Sequence, residues 1–105
     1  MFDPSKLSEM MQQAQRMQDE MMQVLRGKTV EGTAGGGLVA VKFNGLYEVL
    51  NVRIDPAALA QADASLLSDL VRAAISNGIS KVEEARAEHA QGLAQSLGIP
   101  GARLS

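Results

Sequence analysis

Apolar side chains at the start of the chain recur at alternating steps of three and four: Leu7, Met10, Ala14, Met17, Met21 and Val24, with Met11 and Leu25 widening the stripe. Gln12, Gln13, Gln15, Asp19 and Gln23 fall elsewhere, which is the repeat of an amphipathic helix. Asp3-Pro4-Ser5 marks its start, because proline suits a first turn and Asp3 can cap it, and Gly27 after Arg26 marks its end. Two packings fit the stripe equally: against another helix, through an adaptable methionine seam, or over the protein's own sheet.

From Thr29 the period changes to two. Val39, Val41 and Phe43 share one face of a strand, and Leu50, Val52 and Ile54 share one face of the next, with Asn44-Gly45 as a hairpin signal between them. A two-residue turn would set Phe43 opposite Leu46 and Val41 opposite Glu48. The preferred reading is a four-residue connection, which sets Val41 opposite Leu50 and Val39 opposite Val52; the registers differ by two and keep the same faces. Lys42, Val49, Asn51 and Arg53 lie on the other face. Thr29 to Ala34 reads as a further strand joined to the hairpin by Gly35-Gly36-Gly37. Phosphate-cradling glycine loops follow a strand and open a helix, whereas this one opens a strand, so a bend, a bulge or a close backbone approach is expected.

Pro56-Ala57-Ala58-Leu59 suggests one helical turn, and a second long helix begins near Asp63 or Ser65. Its apolar face is Leu66, Leu67, Leu70, Val71, Ala74, Ile75, Ile79 and Val82, and Leu70, Ala74 and Ile75 are the expected lid for Val39, Val41, Leu50 and Val52. Gly78 inside it predicts a kink or a close helix contact. Beyond Val82 the residues turn polar. The chain reads as one domain, residues 1–105: a helical arm over 1–28, an antiparallel sheet over 29–56, a helical segment over 57–91 and a loosely held tail over 92–105 unless Leu97 and Ile99 dock.

Composition narrows the chemistry. With 105 residues and only Phe2, Phe43 and Tyr47 as aromatics, aliphatic and methionine side chains must fill the core, and a second copy covering unsatisfied faces is a plausible route to stability. There is no cysteine, which removes disulfides, thiolate catalysis and sulfur-held zinc. The formal net charge is -2, so an anionic partner would have to meet a local cluster of cations. No basic-then-apolar leader opens the chain and no apolar run approaches a membrane span, which points to a soluble cytoplasmic protein with no membrane partner. His89 is the one histidine, without a metal-ligating companion, and the adjacent carboxylates Asp19-Glu20 and Glu83-Glu84 point to different parts of a helix surface. No nucleophile elbow or dinucleotide fingerprint is present, so an enzyme, a cofactor, a metal and a small-molecule substrate are not expected.

Taken together, the Met/Gln-rich first helix (MMQQAQRMQDEMMQ), Val30-Glu31-Gly32, Ala34-Gly35-Gly36-Gly37, Asn44-Gly45, Glu48-Val49 and Ile54-Asp55-Pro56 resemble the YbaB/EbfC family of bacterial nucleoid-associated proteins. Asp69-Leu70, Ala73-Ala74, Asn77, Lys81 and Pro100-Gly101 extend the likeness. The resemblance implies an α+β protomer, with a three-stranded antiparallel sheet between long N- and C-terminal helices, forming a tweezer-like homodimer. It implies binding of double-stranded DNA in the nucleoid, through phosphate contacts with weak sequence preference, with effects on chromosome organisation and gene expression. Carried onto this chain, the DNA contacts fall on Lys6, Arg16, Arg26, Lys28, Lys81 and Arg86; the apolar pattern, independently, makes Val39, Val41, Leu50, Val52, Leu70 and Ala74 the expected builders of the core and dimer. The competing reading is a protein-interaction scaffold that uses the methionine stripe and touches no DNA.

Overall fold

The computed structural model describes residues 3–98, and its elements run α1 (Pro4–Gly27), β1 (Thr29–Ala34), β2 (Val39–Asn44), β3 (Val49–Ile54), α2 (Pro56–Gln61) and α3 (Ala64–Ser96). Every helix starts on an aspartate whose carboxylate accepts a backbone N–H: Asp3 from Ser5 at 3.0 Å, Asp55 from Ala57 at 2.8 Å and Asp63 from Leu66 at 2.8 Å. The first two are followed by proline, whose missing N–H is no loss in a first turn. α3 continues through Ser96, past the boundary expected at residue 91, and Leu97 is exposed at its end. Ile99 and Pro100-Gly101 lie outside the described residues.

The sheet has the order β1-β2-β3, antiparallel throughout. One register differs from expectation. Val41 stands opposite Val52 and Val39 opposite Ile54, two residues beyond the preferred pairing, with an irregularity at Lys42/Phe43. The cause is Asn44, which is buried. Its side-chain oxygen accepts the N–H groups of Leu46 (2.9 Å) and Glu48 (3.1 Å) and its amide donates to Glu48 Oε1 (2.8 Å). That closed ring holds residues 45–48 in the loop, and a bulge takes up a further residue without turning either apolar face over.

α3 lies over β1 and β2, and two glycines set how closely. A Cβ on Gly32 would run into the backbone of Ala74 and Gly78, and one on Gly78 would run into the Phe43 ring. The tight contact expected at Gly78 is therefore made to the sheet. Val39, Val41, Phe43, Ala74 and Val82 form the core, with Val30, Ala34, Ile54, Leu67, Leu70 and Val71 packed around it. Two side chains of α3 also close the outer edge of β1: Asn77 Oδ1 accepts the Thr33 N–H at 3.0 Å, and Lys81 Nζ donates to the Glu31 carbonyl at 2.8 Å. A free strand edge invites pairing, and this one is capped.

β3 receives no such cover. Leu50 is 49% and Val52 50% exposed, so the lid expected over them is absent within the protomer. The reason is the same pair of glycines, which draw α3 toward β1 and leave β3 at the far side. An apolar groove opens there between Ile54 and the α3 residues Leu67, Val71 and Ile75.

Candidate nucleic-acid interface

α1 is fixed only at its base. Of its 24 residues Leu25 alone is buried, and the helix ends where Gly27 and Lys28 turn into β1. The Gly45 N–H reaches the carbonyls of Leu25 (2.8 Å) and Lys28 (3.0 Å), which ties the last turn to the β2–β3 loop. Met10, Met11 and Met17 are 66%, 65% and 63% exposed. The stripe read as a seam is thus open for most of its length. Toward the base, Met21 and Leu25 converge with Ala90 and Leu93 of α3, and with Leu97 just past its end, across a crevice that His89 also lines.

The six expected DNA-contact cations separate into two groups. Lys6 and Arg16 stand on exposed turns of α1, and among the described residues they and Lys28 make no ion pair. Arg26 lies 3.5 Å from Glu48 with both side chains largely exposed, a pair worth little by itself. Lys81 donates to Glu31 as above, and Arg86 Nη1 donates to the Gly45 carbonyl at 2.7 Å while lying 5.5 Å from the centre of the Tyr47 ring. The structure therefore brings Arg26, Glu48, Gly45, Tyr47 and Arg86 together at the root of the two helices, and leaves Lys6 and Arg16 far out along α1.

Two carboxyl groups ionise more readily than usual. The Ser5 hydroxyl and N–H hold Asp3 below the ordinary aspartate value, and the Asn44 amide, with help from Arg26, does the same for Glu48. Both stabilise turns. Among the described residues no group of three metal-ligating side chains comes together, and no helix is long and apolar enough to cross a membrane. What the arrangement offers is a projecting rod whose cations Lys6, Arg16 and Arg26 are matched in number by Glu9, Asp19 and Glu20, so anionic oxygens along a surface would meet individual hydrogen-bond donors and not a net positive field. Tyr47 is not among the candidate residues the sequence offers; its one signal there is an aromatic at a hairpin tip, close to Asn-Gly.

A sequence model of the YbaB/EbfC DNA-binding family matches residues 3–97. A nucleoid-associated protein of Acidobacterium capsulatum is 40% identical over 104 residues, covering 94% of this chain and 96% of the relative. One of Koribacter versatilis is 37% identical over 95 residues, covering 90% of this chain and 94% of the relative. Among solved structures, an uncharacterized protein from Helicobacter pylori superposes with a TM-score of 0.70 at 26% identity, covering 89% of this chain and 98% of that one.

Proposed function

The chain belongs to the YbaB/EbfC DNA-binding family, and on that premise we propose that it is a nucleoid-associated protein of the bacterial cytoplasm that binds double-stranded DNA through its projecting helices. The observation that carries this reading is the α1 rod, exposed along nearly all its length, with Lys6 and Arg16 unpaired among the described residues and Lys28 at its base. Arg26 can leave its exposed pair with Glu48 at little cost and join them. Lysine and arginine on a rod meet phosphates, not base edges, so sequence preference is weak and salt dependence strong.

The working form in this reading is a homodimer closed over β3. The uncovered Leu50 and Val52, with the groove beside Ile54 and Val71, form one apolar surface, while the opposite edge of the sheet is capped by Asn77 and Lys81. Covering each half-exposed aliphatic side chain contributes on the order of 1 kcal/mol. Two copies joined through this surface present two α1 rods to one duplex.

Fluorescence anisotropy with duplex DNA tests the proposal. If about five phosphates are neutralised, log K falls with log salt at a slope near −4 to −5. No binding at micromolar protein in low salt would overturn it. The exposed methionines favour one competing reading, a groove or helix partner on α1. That reading predicts that a captured partner survives nuclease treatment and that Met17→Glu abolishes capture while Arg16→Glu does not.

A further inference from the structure

The loop between β2 and β3 makes more bonds than a turn requires, and they reach both long helices. Its Gly45 sits between them: the N–H donates to Leu25 and Lys28 at the end of α1, and the carbonyl accepts from Arg86 of α3. No larger residue fits, since a Cβ there would lie 2.5 Å from the Leu25 carbonyl oxygen. Beyond Gly45 the same loop sends out one further contact to each helix. Glu48 faces Arg26 of α1 at 3.5 Å, and the Tyr47 ring lies beneath the Arg86 guanidinium. Tyr47 takes a left-handed backbone conformation, φ 62°, uncommon for a bulky side chain. The buried Asn44 holds the loop in that shape.

We propose that Arg86 is a positioning residue: clamped between the Gly45 carbonyl and the Tyr47 ring, it fixes the spread between α1 and the outer half of α3, and DNA affinity depends on it through that spread. This rests on the DNA-binding reading for its consequence, but not for the geometry. Leu25 at the root is the one buried side chain of α1, so the Gly45 junction, with the half-open crevice between Met21 and Leu93 beside it, sets the direction of the helix. Leverage makes the root important. At about 1.5 Å per residue the 24-residue helix is roughly 36 Å long, so a change of about 10° at the base carries its tip about 6 Å, beyond hydrogen-bond reach of a phosphate. The charge of Arg86, though formally available to DNA, sits at this root and is already shared between a carbonyl and a ring.

Two measurements on the full chain separate a clamp from a phosphate contact. The chain has no cysteine, so Gln13→Cys and Gln95→Cys place one spin label on each helix, and dilution with unlabelled protein isolates the pair within one protomer. Arg86→Gln and Tyr47→Leu are each expected to broaden the label-to-label distance distribution, whereas Tyr47→Phe, which keeps the ring, leaves it narrow. In duplex titrations both disruptive variants are expected to weaken binding about tenfold with the slope of log K against log salt unchanged, because no phosphate contact is lost. Lys6→Gln and Arg16→Gln supply the contrast, each reducing the slope by about 0.9 for every phosphate released. The proposal is overturned if Arg86→Gln flattens the slope as Lys6→Gln does, or if Arg86→Gln or Tyr47→Leu leaves the distance distribution as narrow as the parent's. Should Arg86→Gln not fold, Tyr47→Leu, which leaves the bond to Gly45 in place, carries the same test. If the parent itself binds no duplex, the functional reading falls and the distance measurement still decides the clamp.

Discussion

The inner half of α3 and the whole of α1 are both amphipathic helices with comparable apolar stripes, yet one is packed and the other stands almost bare. Ala74, Gly78 and Val82 of α3 are buried against β1 and β2, while α1 buries only Leu25. Hydrophobic periodicity therefore does not decide which helix a sheet receives. Close approach decides it: Gly32 and Gly78 let α3 settle on the sheet backbone, and α1 has no such partner.

The strongest way to break the contrast is to fill that contact. Gly32→Ala places a methyl group against the backbone of Ala74 and Gly78, which cannot swing aside. It is expected to lower the unfolding free energy by about 3 kcal/mol in urea denaturation. Next comes the side of the sheet that α3 leaves open. Val52→Lys should weaken the proposed dimer about 30-fold, roughly 2 kcal/mol, read as a shift from dimer to monomer mass in light scattering at micromolar concentration.

Asn44→Ala acts on the loop that joins the two helices. It strips the N–H groups of Leu46 and Glu48 of their acceptor, for an expected loss of about 2 kcal/mol in the same denaturation experiment. It also removes the main cause of the depressed Glu48 pKa. Glu48 has a lower pKa folded than unfolded, so its contribution is present above the unfolded glutamate value and is lost as pH falls through the folded one. The carboxyl resonance of Glu48 should titrate below an ordinary glutamate in the parent and move up toward it in Asn44→Ala. The smallest effect belongs to the bare rod. Met10→Ala and Met17→Ala should change stability by no more than about 0.5 kcal/mol, because neither side chain is in the core.

Much of the architecture was legible in the chain because it depends on local chemistry. Asp3-Pro4 and Asp63 announced helix starts through groups within a few residues, and the period-two runs assigned the strand faces. What was not legible depends on contacts between distant segments. The pairing of Val41 with Val52 follows from a buried asparagine closing its own loop, and Asn-Gly alone suggests a shorter turn. The exposure of Leu50 and Val52 follows from where Gly32 and Gly78 meet. Within the candidate interface, the family resemblance marked Lys6 and Arg16 as well as Lys81 and Arg86; only the fold shows that the second pair holds backbone carbonyls.

The near-absence of core residues in α1 also frees its length from the requirements of folding. About four residues added or removed near Gln12 would return the stripe to nearly the same azimuth and shift the tip by roughly one pitch, about 5.4 Å. Leu25 and the Gly45 junction would remain untouched. Reach is thus a parameter that this architecture can change a turn at a time, like the scale on a ruler, while the sheet and α3 keep the same sequence.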